Sequence, residues 1–464
     1  MADELLTVAA FTKVVVANRG AVAARIIRAL RVLGVPSVAV FSDADSDAPY
    51  LEEADEAHHI GESAPIASYL NQEVILDVVR RTSSDGVHPG YGFLAENAEF
   101  AREVTKNGVQ WIGPSPRWID LMGDKASARD FARARGLDVG AGSDVLSADP
   151  EQIVAAGLSV GFPVLVKPVG GGGGIGMLSA GSPDELLSAV ERASSMAARG
   201  FANDQVYLER LLVRPRHIEY QMLGDQHGNV CHLFERDCSV QRRRQKIIEE
   251  APAPGLDRSL TDSYAARLAG ILENEGYDNI GTVETLVVDG QSQFLEMNTR
   301  LQVEHGVTEE VTGIDLVQAQ IRLASGELLS EVVSETPRIR GHAIEARVYA
   351  EDPVSFYPSP GTLEVFEPPD GVRVETGLRQ GQEVTPFYDP LLAKVIAHGQ
   401  TREQAVNSLV AGLEGFNIRG VKHNLPALIS ILRSEEFAGG ELHTELQRDV
   451  MAASASTKRG PSEE

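Results

Sequence analysis

Residues 283–298 read VETLVVDGQSQFLEMN, two apolar runs flanking Asp289, Gly290 and Gln291. A three-residue loop at 289–291 makes a plausible hairpin connection. If Val288 pairs with Ser292, counting back along both strands sets Glu284 directly opposite Glu296. Like charges placed that way destabilise a sheet, so the pair requires either solvent or a cation between them. Two carboxylates with an anionic co-ligand are a usual way of holding Mg²⁺ or Mn²⁺. The alternation continues through EMNTRLQVE, with Glu296, Asn298, Arg300, Gln302 and Glu304 on one face and Met297, Thr299, Leu301 and Val303 on the other. A solvent-facing strand edge gives the same pattern. Asn298 beside two acids, followed by Arg300 and Glu304, is a denser mixture than solubility requires. Asn298 can complete a metal shell, Arg300 can hold an anion, and Glu304 can accept a proton close by.

Just upstream, RDCSVQRRRQKIIEE (236–250) places Arg242, Arg243, Arg244 and Lys246 within five residues of a chain whose formal net charge is −25. A solvated loop balanced by Glu249 and Glu250 is one reading of it. The other is an anion site, because a nucleotide held through a divalent cation also needs cations on its free phosphate oxygens.

Five consecutive glycines, Gly170 to Gly174, stand inside VGGGGGIGM (169–177). Such a run can be a flexible linker. It can also bring backbone N–H groups against phosphate oxygens, since no Cβ blocks the approach. Here it is pinned between the strand signals FPVLVKP (162–168) and MLSA (177–180), which favours a phosphate lid inside a hairpin. No Lys-Ser or Lys-Thr follows the glycines, so this is not the P-loop. Lys167 precedes them and is placed to reach a phosphate. Lys125, in LMGDKASA, either serves the same nucleotide or is a surface charge.

Working outward, 464 residues suggest roughly three domains at about 150 residues each. KVVVAN (13–18), a helical pattern at Val22, Ile26, Leu30 and Leu33, and SVAVFS (37–42) form a βαβ unit, so the chain opens on a parallel sheet that runs to about residue 122. The turn NRG lacks GxGxxG, which argues against a dinucleotide site. Residues 123–337 follow as a second domain, with a small glycine-lid unit at about 140–212 and antiparallel signals at 217–225 and 229–237. A mixed α+β domain spans 338–450, and the small, polar segment 451–464 is expected to be a disordered tail. The charge balance disfavours nucleic acid. Cys231 and Cys238 have neither metal nor disulfide-framework spacing, and no signal segment or 18-residue apolar run is present, so a cytoplasmic location without membrane insertion is expected.

Taken together, ANRG, HPGYGFLAEN, LMGDK, GGGG with GM, PRHIE, ERDCSVQRR, QKIIEEAPAPG, EMNTRLQVEH, VTE, GHAIEAR, AEDP, PSPG, YDPLLAK and GVKHN resemble the biotin carboxylases of the ATP-grasp superfamily over residues 13 to about 445. LFERDCSV and EARVYAEDP look most like subunits serving acyl-CoA carboxylases. The resemblance implies an N-terminal Rossmann-like domain, an ATP-grasp domain and a mixed C-terminal domain, together with ATP-dependent carboxylation of biotin by bicarbonate. It implies that Lys125, Lys167, Gly173 and Gly174 bind ATP phosphates, and that Glu209, Leu212 and His217 contact adenine or ribose. Arg244 would make a ribose or phosphate contact. Glu284 and Glu296, with Asn298, would ligate Mg²⁺ or Mn²⁺. Lys246, Arg300, Gln302 and the backbone of Val303 would hold bicarbonate, Glu304 would be the base, and Arg347 would stabilise the biotin enolate.

Five positions depart from the family pattern: Ala21 for Glu, Pro168 for Ala, Ile175 for Lys or Arg in the lid, Arg244 for His, and Gly306 for Pro. No biotin-attachment motif occurs, and the only lysine beyond Lys422 is Lys458, so biotin is expected on a carrier protein or on a portion outside this chain. A biotin carboxyl carrier, a carboxyltransferase and a second copy of the chain are the partners the resemblance implies. A different ATP-grasp ligase joining a carboxylate to an amine, or an ATP-binding homologue with weakened turnover, are the competing readings.

Overall fold

The computed structural model describes residues 11–169, 176–201 and 203–458. Short β-branched runs at Val14–Val16, Ser37–Phe41, Glu56–His59, Gly86–His88 and Gln110–Trp111 form one parallel sheet, with Val14–Val16 at its centre. Its central strands are buried on both faces, as parallel sheets require. This is the expected Rossmann-like opening. The helix Gly20–Val32 packs on it through Val22, Ile26, Ile27 and Leu30.

A small unit follows, in which Gly142–Val145, Val206–Arg210, Val164–Pro168 and Leu178–Ala180 lie side by side in that order. The helices Pro150–Val160 and Pro183–Phe201 close a separate core around Val164, Val166, Leu186 and Leu208. Val164–Pro168 and Leu178–Ala180 pair antiparallel, as the hairpin reading expects. The glycine run between them, and with it Gly173, Gly174 and Ile175, lies outside the described residues.

An eight-stranded antiparallel sheet carries the rest. Its order is Gln291–Asn298, Asn279–Val288, Arg216–Gly224, Val230–Arg242, Gln245–Ala251, His342–Tyr349, Leu391–Gly399 and Arg373–Glu375. Gln245–Ala251 pairs with His342–Tyr349, so one sheet runs continuously across residue 338. The helix Arg402–Gly415 covers its far end.

Two sequence expectations fail here. Residues 451–458 continue the helix Leu446–Lys458 rather than starting a disordered tail; its first turns are anchored by buried Leu446 and Val450. The strand expected through Glu304 ends at Asn298, and Glu304 instead immediately precedes the helix His305–Thr312, its side chain making no capping hydrogen bond. Among the described residues, no helix is long and apolar enough to cross a membrane.

Candidate active site

The hairpin register comes out as expected at the acids but by another route. Asp289 and Gly290 alone form the loop, both with positive φ (51° and 76°), as a two-residue I′-type turn demands. Val288 therefore pairs with Gln291, and the register is one residue off until a bulge at Leu295 restores it. Glu284 then faces Glu296, and Thr282 faces Asn298.

The neighbouring strands extend this row. Glu219 is opposite Glu284, and Arg236 is opposite Glu219, so Arg236, Glu219, Glu284 and Glu296 lie across four adjacent strands. Three acids in a row need cations, and Lys246 supplies one from the strand Gln245–Ala251. Its ammonium donates to Glu219 Oε2 at 2.5 Å, Glu284 Oε1 at 2.7 Å and Glu304 Oε1 at 2.7 Å. Burial opposes that charge, but Glu219, Glu284 and Glu304 push the Lys246 pKa well above its usual range. Arg236, fully buried, donates to Glu219 Oε1 at 2.5 Å from the other side.

Glu284 also accepts from His217 Nε2 at 2.8 Å, Asn298 Nδ2 at 2.7 Å and Gln302 Nε2 at 3.2 Å. Burial works against its charge, yet Lys246 and His217 hold it below the ordinary carboxylate range. Glu296 behaves oppositely. Burial first and Glu284 second raise its pKa, with Lys125 and Lys167 pulling the other way. A divalent cation between the two acids would relieve that repulsion. The donor set of two carboxylates with the Asn298 carbonyl oxygen is hard and all-oxygen, which fits magnesium or manganese.

Arg300 reaches Gln302 Oε1 at 2.7 Å and Asn298 Oδ1 at 3.1 Å, and its Nε donates to Glu96 Oε2 at 2.8 Å. Glu96 brings the parallel-sheet domain into the site. Its loop is shaped by the Asn18 amide, which donates to the carbonyls of Pro89 and Tyr91. The Val303 carbonyl accepts from Lys394 Nζ at 2.7 Å. Arg347 donates to Glu304 Oε2 at 2.9 Å, and it lies 2.6 Å from Glu249 Oε1. Burial would raise Glu304, but Lys246, Arg347 and Arg236 hold it well below its usual range. Glu304 is thus a carboxylate clamped between two cations.

A second cluster joins the small unit to the helix Lys125–Ala134, with Lys167 Nζ and Arg129 Nη1 each donating to Glu209 at 2.6 Å. Lys125 opens the helix Lys125–Ala134, within electrostatic reach of Glu296, Lys167 and Glu209. Of the expected residues, Arg244 and Leu212 stand apart. Arg244 sits with Arg243 at the exposed tip of the turn joining Arg242 to Gln245, with φ 65°. Leu212 lies in the half-buried segment after Val206–Arg210. Among the described residues, no hydrogen bond or ion pair joins the Arg244 side chain to the clusters, and the apolar Leu212 side chain can form neither. The sequence reading passes over Glu219, Glu249, Arg236, Arg129 and Glu96. The alternation His217, Glu219, Gln221 within one strand is a signal that could have found Glu219.

Three family descriptions match the sequence: "Biotin carboxylase, N-terminal domain" over residues 10–119, "Carbamoyl-phosphate synthase L chain, ATP binding domain" over 124–332, and "Biotin carboxylase C-terminal domain" over 345–448. Biotin carboxylase 2 of Bacillus subtilis is 46% identical over 94% of this chain and 98% of that protein. A pyruvate carboxylase subunit of Methanothermobacter thermautotrophicus is also 46% identical, over 94% of this chain and 89% of its own length. Among solved structures, the biotin carboxylase domain dimer of Hydrogenobacter thermophilus 2-oxoglutarate carboxylase, in complex with MgADP, ADP and bicarbonate, superposes with a TM-score of 0.91. It is 41% identical, over 95% of this chain and 98% of that one.

Proposed function

The chain belongs to the biotin carboxylase family, and from that premise we propose that it carboxylates carrier-borne biotin with ATP and bicarbonate, as the first half-reaction of an acyl-CoA carboxylase. The observation that carries this is Glu304, a buried carboxylate bonded at one oxygen to Lys246 and at the other to Arg347. Bicarbonate bound at Lys246, Arg300, Gln302 and the Val303 N–H lies within reach of that base.

Glu304, held so far below its usual range by Lys246 and Arg347, is a weak base before bicarbonate arrives. An arriving bicarbonate shares the Lys246 charge and raises the proton affinity of Glu304 when it is needed. Glu304 then takes the bicarbonate proton as the bicarbonate oxygen attacks the γ-phosphate, giving carboxyphosphate and ADP. Carboxyphosphate breaks down to CO₂ and phosphate, and that phosphate removes the ureido proton of biotin. Arg347, fixed from behind by Glu249, stabilises the enolate charge and the biotin nitrogen attacks CO₂. Lys125, Lys167 and the glycine run, Gly173 and Gly174 included, take the ATP phosphates, while Glu209, Leu212 and His217 meet adenine or ribose. Glu284, Glu296 and Asn298 would hold magnesium or manganese, which neutralises phosphate charge when bound.

The test is ADP release with and without bicarbonate and free biotin, with Glu304→Gln and Arg347→Ala as controls. Biotin- and bicarbonate-dependent release that both substitutions abolish is expected; release indifferent to biotin would overturn the reading in favour of another ATP-grasp ligase, and no release in favour of an ATP-binding homologue.

The acyl acceptor binds a carboxyltransferase rather than this site. Relatives of equal identity include one from a pyruvate carboxylase, so pyruvate or another 2-oxoacid is the second reading. The complex that co-purifies with the tagged chain, assayed with acetyl-, propionyl- and 3-methylcrotonyl-CoA against pyruvate and 2-oxoglutarate, separates the two. A homodimer, as in the Hydrogenobacter thermophilus structure, completes the proposal.

A further inference from the structure

Arg129 stands four residues after Lys125 on the helix Lys125–Ala134, so both side chains leave the same face. It is only 9% exposed. Its guanidinium donates to Glu209 Oε1 at 2.6 Å and to the Gly140 carbonyl at 3.3 Å. The other Glu209 oxygen accepts from Lys167 at 2.6 Å. Burial would raise the Glu209 pKa, but Lys167 and Arg129 together keep it below the usual carboxylate range. The surroundings are built to this side chain. A Cβ on Gly142 would come within 2.6 Å of Arg129 Nη2 and 3.0 Å of the Leu208 carbonyl oxygen, so only glycine leaves the guanidinium its place. Gly142 begins the first strand of the small four-stranded unit, and Glu209 lies near the end of its last. The arginine therefore reaches from a helix outside that sheet to the strands at which the unit begins and ends.

One carboxylate facing one lysine is a closed, neutral pair with little pull on a further anion. Two cations around the same carboxylate leave a net positive charge in a poorly hydrated site, where such a charge acts strongly. We propose that Arg129 is a positioning residue for nucleotide binding: by taking up the Glu209 carboxylate it frees the Lys167 ammonium for the phosphates, and through Gly140 and Glu209 it anchors the base of the small unit. This rests on the nucleotide reading of that unit given above.

Titration calorimetry of the full chain with ATP and ADP, each with magnesium, and with adenosine tests it, on the parent, Arg129→Leu and Arg129→Lys, which keeps a cation against Glu209. Arg129→Leu is expected to weaken ATP and ADP by about tenfold or more, to leave adenosine within about twofold, and to raise the KM for ATP but not for bicarbonate. Arg129→Lys recovers most of the ATP affinity. Equal losses for adenosine and ATP, or an Arg129→Lys variant as weak as Arg129→Leu, would overturn the proposal. Should Arg129→Leu fail to fold, Arg129→Gln, which keeps a donor for the Gly140 carbonyl, carries the same expectations. A parent that binds no ATP sinks the nucleotide reading itself; a parent that binds it, with Arg129→Leu unchanged, sinks only the role of Arg129.

Discussion

Replacing Glu345 by Gln should stabilise the protein, and increasingly so as pH rises. Glu345 and Glu249 face each other on adjacent antiparallel strands, both with 0% exposure. Neither Glu345 oxygen has a hydrogen-bond partner among the described residues, and Lys394 Nζ comes no closer than 3.9 Å. Burial and the Glu249 charge, against Lys394, raise the Glu345 pKa to about 8. Burial and the nearby Glu304, against Arg347, bring Glu249 to about 7. A carboxyl whose folded pKa exceeds its unfolded value of 4.5 keeps its proton longer when folded. The folded state then binds more protons between about pH 4.5 and 8, so stability falls through that window and the loss is complete above it. At about 1.4 kcal/mol per unit, Glu345 accounts for roughly 5 kcal/mol at most at high pH. Glu345→Gln keeps the shape and removes the ionisation. Thermal unfolding of parent and variant should differ least near pH 4 and diverge by several degrees in favour of the variant at pH 9. Parallel pH profiles, or a parent that gains stability up to pH 9, would refute the reasoning.

Three further outcomes can be measured directly. Ile175→Arg restores the lid cation that the family pattern supplies, a charged hydrogen bond of about 1.5–3 kcal/mol, and should lower the KM for ATP; an unchanged or higher value counts against the lid reading. A Cβ on Gly377 would collide with the Gly20 carbonyl carbon and lie 2.6 Å from the Ala21 nitrogen. Gly377→Ala therefore wedges the C-terminal segment off the first helix and should cost about 1–3 kcal/mol, read as an earlier melting onset; an unshifted onset shows that the contact yields freely. Glu284→Gln and Glu296→Gln should each raise the magnesium concentration for half-maximal ADP release by about tenfold or more, a carboxylate ligand being lost; if both keep the parental magnesium curve, the metal is held elsewhere.

The parallel opening sheet is legible in the sequence because its strands are short β-branched runs set off by amphipathic helices. The acidic pair is legible by a compensation: the loop is a residue shorter than expected and a bulge at Leu295 takes up the difference. Turn chemistry is readable in Asp289-Gly290, whereas a bulge leaves no residue signature of its own. The polar alternation after Asn298 marks the right side chains on the wrong backbone. Arg300, Gln302 and Glu304 converge through an irregular turn ahead of the helix His305–Thr312, and period-two spacing alone cannot tell such a turn from a strand. Glu219, Glu249 and Arg129 escape because each becomes functional only through a partner distant in the fold's pairing, at Lys246, Arg347 and Glu209. Gly306, which departs from the Pro of the family pattern, is buried in the first turn of that helix, and a Cβ there would collide with Ile396 Cδ1.

These contacts also bear on how a chain of net charge −25 would take the anions of the proposed reaction. The site does not present a basic surface. It interleaves Lys246, Arg236 and Arg347 with Glu219, Glu249, Glu284, Glu296 and Glu304, and most of those carboxylates already have a cation or amide against them. Removing one member of such a buried set strands its partners, which costs several kcal/mol, whereas exchanging one partner for another costs far less. Bicarbonate can therefore enter by sharing Lys246 and Arg300 with carboxylates that already hold them. The ATP phosphates would meet a different balance, because Glu296 has no hydrogen-bonded cation of its own among the described residues and faces Glu284 across the hairpin. A divalent cation between the two acids would ease their repulsion, so under the proposed function magnesium should tighten the binding of ATP phosphates at the hairpin.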